Sequence, residues 1–451
     1  MHKKKRIGIF FGGTSREREV SFVGGRTVYD NLDRDLFEPV PIFIDSLGNF
    51  ILLNWWFLYN GTIRDFYPVV NRLEKSRFQV YIESLKSKEE IINGINSIGK
   101  KVLPEQFSEI FDFAFLILHG LGGEDGQIQG LLNWYNIPYS GTGILGSAIG
   151  IDKLIQRKLM KMANLATSNY FIIKKADWLT GLNRTSLLKS IIYKVGLPFV
   201  IKPILQGSSI GVSVIYDNNI DDFIKAVNKG FFIKEITSDF WQSLNNDEKI
   251  QFVKSLIDVR YSIGFPIFVG PEIMYHPNDL IDYLDSNMHG NMTIQLQNLH
   301  CEENVLIESY IHGREFSCVV LQNINGEIIA LPPTEMIKPI DTYFDYREKY
   351  LPGAIHKETP MQIEYYKLDK IRESCTKLFD LLNFQTYARI DGFIKSDGSI
   401  YLNDPNTTVG MTPSSFIFHQ AAEVGMSPKS LITFIIENSS NKKNSFFGKI
   451  H

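Results

Sequence analysis

The stretch Tyr387–Ser415, YARIDGFIKSDGSIYLNDPNTTVGMTPSS, constrains the fold more than any other part of the chain. Ala388-Arg389-Ile390-Asp391-Gly392-Phe393-Ile394 alternates polar and apolar residues at period two, as a strand with two unlike faces does. Ser396-Asp397-Gly398 is a turn signal and Ile400-Tyr401-Leu402 begins the return strand, so a hairpin is predicted. Arg389 and Asp391 then share one face, and Asp404 and Asn406 arrive beside them at the end of the partner strand. Two carboxylates, an amide oxygen and a guanidinium on one face are poor core material. Hard oxygen donors of this kind suit Mg²⁺, which is usually held by a few carboxylates together with substrate phosphates. Asp397-Gly398 and Asn403-Asp404-Pro405-Asn406 would each be an ordinary turn if read alone. The pairing of the two strands makes them a candidate site.

A second feature lies upstream. Leu197-Pro198-Phe199-Val200-Ile201-Lys202-Pro203 reads as a strand with one lysine near its end, followed by Gly207-Ser208-Ser209-Ile210-Gly211 and a strand over Val212–Tyr216. A Gly-Ser-Ser hairpin can fold over phosphates, offering backbone N–H and hydroxyl donors while Lys202 supplies charge. It is not a Walker loop, because Gly-Lys-Ser/Thr is absent. Asp152-Lys153 opens a basic helix that runs to Met162, of the type that usually faces solvent. Val305–Ile311 is a further strand, and His312–Ser317 breaks it before another. Its departing edge offers backbone groups for a base near Glu308, Tyr310 and Ile311, and Glu315 can accept from ribose hydroxyls.

The N-terminal third opens with a buried strand, Arg6–Phe11, then Gly12-Gly13-Thr14-Ser15 and a helix from about Arg16, capped by Ser15 with Glu19 in support. Strand, glycine turn and helix begin a doubly wound α/β domain, whose crevice lies at the strand ends. Glu17 by itself would complement the helix dipole. Further strands are predicted at Pro39–Ile44 and Phe111–Leu118, with a β-like run at Phe78–Ile82. His119-Gly120-Leu121-Gly122-Gly123-Glu124-Asp125-Gly126 then precedes a helix at Gln127–Tyr135, and its glycines let backbone N–H groups approach an anion.

Composition narrows the function classes. The 451 residues are 44% hydrophobic and 13% aromatic, an ordinary globular balance for two or three domains. A net charge of −3 gives no field for nucleic acid or an anionic membrane, so neither is expected as a partner. Cys301, Cys318 and Cys375 lack metal-ligand spacing and fit buried thiols in a reducing compartment. The apolar run after the basic start is too short for a signal peptide, and Leu52–Tyr59 falls far below the ~20 residues of a membrane helix. A soluble, cytoplasmic protein is expected.

The Arg-Ile-Asp strand, its hairpin and the acid and Asn-Thr before Gly-Met-Thr-Pro-Ser-Ser resemble the metal-binding end of D-alanine–D-alanine ligases, members of the ATP-grasp superfamily. The Gly-Gly-x-Ser-x-Glu-x-Glu-Val-Ser run, His-Gly-x-x-Gly-Glu-Asp-Gly and the strand-lysine-proline prefix before the Ser-Ser loop match the same family in order. So does Tyr343–Gly353, an aromatic and charged stretch similar to the ligases' mobile loop. The resemblance covers most of the chain except about 45–110, 217–304 and the tail beyond Asn438. It implies an N-terminal Rossmann-like α/β domain (1–152) and a two-part ATP-grasp fold. The parts are a central domain (153–310), with a long insertion at about 217–304, and a C-terminal domain (311–438) before a polar tail (439–451). Pro266, Pro271 and Pro277 argue against one continuous helix in that insertion, and a surface addition without catalytic duty is expected there.

The resemblance also implies roles. ATP is expected on Lys153, Lys202, Ser208, Ser209, Glu308, Tyr310, Ile311, Glu315 and Lys349. Asp391, Asp404 and Asn406 are expected to hold Mg²⁺, two ions in the family pattern, with Mn²⁺ able to stand in. Glu17 and His119 would hold the first D-alanine, with Glu17, Ser208 and Tyr350 forming one hydrogen-bonded set. Arg389 and the N–H of Gly410 would face the oxyanion, and Ser415 and Phe416 the second substrate. The product would be D-alanyl-D-alanine for peptidoglycan precursors, and a homodimer is compatible with the family. Asp404 stands where the family usually has Glu, Pro405 removes a backbone donor, and Phe416 is bulkier than the usual Leu. Two other readings therefore stay open: a ligase with a different second amino acid, and a non-catalytic nucleotide-binding protein.

Overall fold

A computed structural model describes residues 3–68, 77–85, 87–181, 183–337 and 356–447. The predicted loop at Tyr343–Gly353, with Lys349 and Tyr350, lies outside the described residues. Four sheets organise the rest. The first has the order Gly99–Val102, Phe50–Leu53, Phe37–Ile44, Lys5–Gly12, Phe113–Leu116. Lys5–Gly12 pairs in parallel with a neighbour on each side, and Phe50–Leu53 pairs antiparallel with both of its neighbours. Parallel strands need cover on both faces, and Ile7, Ile9, Phe10 and Phe11 are fully buried. Ile7, Ile9 and Phe11 pack with the C-terminal helix residues Leu431, Ile432 and Ile435. Phe10 turns the other way, against Phe107 and Phe111.

Two expectations for this region need correction. The helix begins at Arg18, not Arg16, with Glu17 at the N-cap but making no cap bond through its side chain. Ser15 Oγ accepts from the Glu17 N–H at 3.2 Å, and Glu19 accepts from the Tyr81 hydroxyl at 2.9 Å instead of supporting the cap. Phe78–Ile82 forms no strand; a single 3₁₀ turn, Ile82–Ser84, follows it. Phe78 and Val80 are buried against the insertion, so their apolar alternation is satisfied by packing without ladder bonds.

The second sheet, ordered Tyr170–Lys174, Asn304–Ser309, Phe199–Pro203, Ser213–Ile215, is antiparallel throughout. Helix Ile220–Phe231 covers it with Phe223, Val227 and Phe231, so the added unit begins only after this helix. That unit is a small α/β layer. Its sheet, Glu272–Met274, Ile267–Val269, Thr293–Asn298, Ile233–Thr237, is covered by helices that include Asn246–Ile257 and Pro277–Asn287. Pro277 sits in the first turn of its helix, where a missing N–H is harmless.

The fourth sheet carries the predicted hairpin between Tyr387–Ile394 and Ile400–Asn406. Arg389 faces Asn406 and Asp391 faces Asp404 across it, and the register then shifts so that Gly392 faces Leu402. Asn403 is the extra residue of the resulting bulge, a device that re-aims side chains beside sites. Of the three cysteines, Cys318 and Cys375 are buried as expected, but Cys301 is only half-buried, with Lys175 Nζ 3.0 Å from its sulfur. Among the described residues no helix is long and apolar enough to cross a membrane.

Candidate active site

One cleft runs between the second and fourth sheets. Lys153, Lys202, Gln206, Ser209, Glu308, Tyr310, Ile311, Glu315, Asn403 and Asp404 line it, most of the nucleotide residues expected from sequence. Each arrives by a local cause. Asp152 caps the helix Lys153–Met162 by accepting from the N–H groups of Leu154 and Ile155 at 2.9 Å. The predicted solvent-facing helix instead buries Lys153, Gln156, Arg157 and Met160 on one face, an i, i+3, i+4, i+7 pattern. Lys153 Nζ donates to the Gln206 carbonyl at 2.6 Å and lies 3.7 Å from Asp404 Oδ1. Ser208 and Ser209 both adopt left-handed backbone (φ 52° and 58°), which tightens the loop.

Under the loop lies a buried charge cluster that sequence reasoning did not find as a unit. Glu308 accepts from Arg157, from Lys202 Nζ and from Ser168 Oγ at 3.1 Å. Burial alone would raise its pKa, but Arg157 and Lys202 outweigh it and hold the carboxylate well below its ordinary range. Lys202 is shifted down by burial, which Glu308 partly offsets. Asn403 Oδ1 accepts from Arg157 at 2.8 Å and from Lys202 at 3.2 Å, so the bulge residue ties the hairpin to the two cations. Arg157 follows Lys153 by four residues and so shares its helix face, a spacing visible in the sequence. Asn403 gave no signal beyond its place in a turn-like run. Tyr310, expected at the base-binding edge, already donates its N–H to the Pro198 carbonyl at 3.1 Å.

The N-terminal loops close the other side. Glu17 is buried and accepts from Ser208 Oγ, which joins the first glycine turn to the Ser-Ser loop. Burial raises the Glu17 pKa, and Ser208, Lys153 and Arg389 pull against that. Glu124 is also raised, chiefly by burial and then by the charge of Glu17. It accepts from Gly120 N–H at 2.7 Å and from Thr408 N–H at 2.9 Å, linking the histidine turn to the segment after the hairpin. His119 Nδ1 lies 4.0 Å from Glu124, and its Nε2 is buried with no partner among the described residues. Burial, with Arg389 nearby, lowers its pKa to about 4, so the ring is neutral at neutral pH.

Arg389 makes a two-pronged pair with Asp391, Nε to Oδ1 at 3.0 Å and a terminal nitrogen to Oδ2 at 2.9 Å, and Ser317 Oγ donates to Oδ1 at 2.7 Å. Asp404 is the cross-strand partner of Asp391, and the Asn406 amide donates to the Asp404 carbonyl at 2.8 Å. Among the described residues no group of three or more His, Cys, Asp or Glu forms a metal cluster. Directly opposed residues put their side chains on one face about 5 Å apart, so two carboxylates and an amide oxygen fit a hard divalent ion that takes its remaining ligands from phosphate and water. Ser415 stands at the N-cap of the helix Phe416–Glu423, and its hydroxyl lies 2.9 Å from that of Thr412. A Cβ built on Gly410 would lie 3.4 Å from Ser415 Oγ, so these two expected residues are adjacent. Phe416 has Lys357 Nζ 4.7 Å and the Arg389 guanidinium 5.9 Å from its ring centre. Lys357 was not singled out from sequence.

The family model described as D-ala D-ala ligase N-terminus matches residues 6–142, and that described as D-ala D-ala ligase C-terminus matches 159–235 and 233–437. The chain belongs to the D-alanine–D-alanine ligase family. The match runs through 45–110, which the motifs alone did not cover, and the two C-terminal segments meet inside the added unit. Similar relatives include D-alanine--D-alanine ligase B of Clostridium perfringens, 26% identical over 97% of this chain and 99% of that protein. The D-alanine--D-alanine ligase of Oceanobacillus iheyensis is 28% identical over 96% and 94%. Among solved structures, the D-alanine-D-alanine ligase of Coxiella burnetii superposes with a TM-score of 0.63 at 20% identity, covering 99% of this chain and 97% of that one. The VanG D-Ala:D-Ser ligase of Enterococcus faecalis gives 0.62 at 21%, covering 97% and 100%. These two likenesses support the ATP-grasp fold. The protein is therefore an ATP-dependent ligase that works on small molecules with a divalent metal.

Proposed function

We propose that this ligase joins two D-alanines to D-alanyl-D-alanine, for peptidoglycan precursors, through an acyl phosphate. The observation that carries the reading is the Glu17–Ser208 contact. It closes the N-terminal loop onto the phosphate loop directly beside Lys153, Arg389 and Asp404. Residues 1–152 serve as the first-substrate domain. Residues 153–310, with their insertion, and 311–438 serve as the two nucleotide-binding halves.

A carboxylate is a poor electrophile, so one of its oxygens first attacks the γ-phosphorus of ATP and ADP leaves. Lys153 and Lys202 neutralise the phosphates, with Ser208 and Ser209 donating from the loop and Glu315 at the ribose. Asp391, Asp404 and Asn406 would hold the divalent metal, two Mg²⁺ ions in this reading, which would supply charge neutralisation for the phosphoryl transfer. Arg389 pairs with Asp391 here and would stand beside such a metal site. The Arg389 guanidinium, with the Gly410 N–H, would face the oxyanion formed when the second amine attacks the acyl carbon. Collapse expels phosphate, and the proton lost by the amine leaves on that phosphate. The neutral His119 offers its unpartnered Nε2 side to the first substrate, and Ser415 and Phe416 border the second. Tyr350, expected to complete the Glu17–Ser208 set, lies outside the described residues.

Oxygen-18 placed in the D-alanine carboxylate tests the intermediate. One labelled oxygen should appear in the released phosphate, and unlabelled phosphate would reject the acyl-phosphate route. A second reading, a different second amino acid, is favoured by the crowding of Phe416 between Lys357 and Arg389. A panel of D-amino acids offered beside D-alanine separates the two, since clear preference for D-alanine removes this second reading.

A further inference from the structure

The added unit was expected to be a surface extension without catalytic duty, but it contacts chain neighbours of both partners of the Glu17–Ser208 pair. On one side is Arg16, the residue before Glu17. Its guanidinium donates to the carbonyls of Val259 at 2.7 Å, Ser262 at 2.9 Å and Ile263 at 2.8 Å, all in one loop of the insertion. The same group stacks on Phe232 at 3.6 Å from the ring centre. Three carbonyls and one aromatic face thus converge on one buried cation. On the other side is Ile210, two residues after Ser208, buried in the insertion's core with Phe232 and Ile263. Val20, in the first turn of the helix that follows Glu17, enters the same core.

The loop that receives Arg16 is itself tied down. Gly264 N–H donates to the Leu256 carbonyl at 2.9 Å and Asn298 donates to the Gly264 carbonyl at 3.1 Å. These bonds anchor the loop at the residue next to Ile263. Burial is the main reason the Arg16 pKa falls, to about 9, still far enough above neutral pH to keep the charge. A solvent-facing decoration would need neither a buried cation nor a share of the phosphate loop.

We infer that Arg16 is a positioning residue and that the insertion, through Phe232 and the 259–263 carbonyls, holds Glu17 and Ser208 in register for the first substrate. The inference rests on the reading of Glu17 given under Proposed function. The Arg16 guanidinium is committed to three carbonyls and acts through Glu17, so its loss should move the Michaelis constant for the first substrate more than that for ATP.

The test compares the full-length protein with Arg16→Ala, Arg16→Lys, Phe232→Leu and a control, Gln251→Ala, at an exposed position of the helix Asn246–Ile257. In Arg16→Ala the KM for D-alanine should rise roughly tenfold or more, the scale of one hydrogen bond to a charged group, with the KM for ATP little changed. Arg16→Lys keeps the charge without the fork and should recover only part of the loss. Should Arg16→Ala fail to fold, Phe232→Leu keeps the apolar bulk and removes the stacking, and about a threefold rise in the same constant is expected. Gln251→Ala should match the wild type. A lower melting temperature with an unmoved KM for D-alanine in an active enzyme would make Arg16 a structural clamp only and overturn the inference. A wild-type protein that releases no ADP would instead remove the reading of Glu17 on which it stands.

Discussion

Replacing Glu308 by glutamine probes the charge cluster beneath the nucleotide cleft. The carboxylate is almost fully buried, as are the two cations it serves, Arg157 and Lys202. The glutamine amide would keep an acceptor but no charge. The cations would be left with Asn403 Oδ1 at 2.8 and 3.2 Å and the more distant Asp404 as compensation. Removing one partner of a buried pair costs about 3–5 kcal/mol, much of it from the uncompensated buried charge left behind. For a cooperative unit of 150–250 residues that corresponds to a melting temperature lower by roughly 10 °C. The sign of the pH dependence follows from the depressed Glu308 pKa. Its stabilisation is present above the unfolded value and is lost only as pH falls through the still lower folded value, so the variant's deficit should be flat from pH 6 to about 8. ATP offers a diagnostic second reading. Its phosphates bring negative charge to Lys202, so saturating MgATP should stabilise E308Q more than the wild type. Differential scanning fluorimetry with and without nucleotide measures both quantities. A loss of less than about 2 °C, or equal stabilisation of both proteins by ATP, would refute the charge argument.

Other perturbations test the hairpin and the N-terminal turn. Arg389→Ala should lower kcat about 10²–10³-fold with ATP binding nearly intact, and an unchanged kcat would contradict the oxyanion role. Asp404→Asn removes one of two carboxylates, so the Mg²⁺ concentration for half-maximal rate should rise at least tenfold or so, read from a metal titration. Glu124 has a folded pKa above its ordinary value, so its contribution to stability declines as pH rises between the two. E124Q mimics the protonated acid and should flatten that decline, which thermal melts from pH 5 to about 8 would reveal.

Much of this site was legible in the sequence for identifiable reasons. The hairpin announced itself because period-two alternation and a Ser-Asp-Gly turn fix which residues share a face, and the register Asp391 to Asp404 followed. Lys202 and the Ser-Ser loop were legible as a strand with one charge before a flexible turn. What failed to show was tertiary. Arg157 and Glu308 are 151 positions apart, and Arg16 lies 243 from Val259, so no local pattern could pair them. The Phe78–Ile82 run had strand-like alternation, yet Phe78 and Val80 pack against the insertion and Ile82 into the N-terminal core. Side-chain burial won over ladder formation there. The buried face of the Lys153–Met162 helix was hidden because the residues that face inward include charged ones, Lys153 and Arg157, that find their partners only in the folded chain.

The central claim is that Asp391, Asp404 and Asn406, with Arg389 beside them, work on ATP phosphates held by Lys153 and Lys202 to join two D-alanines. It is tested most directly by incubating the protein with ATP, Mg²⁺ and D-alanine and following ADP, phosphate and product together. Equal yields of ADP, phosphate and D-alanyl-D-alanine are predicted. Tight ATP binding with no ADP released in any amino-acid mixture would contradict it.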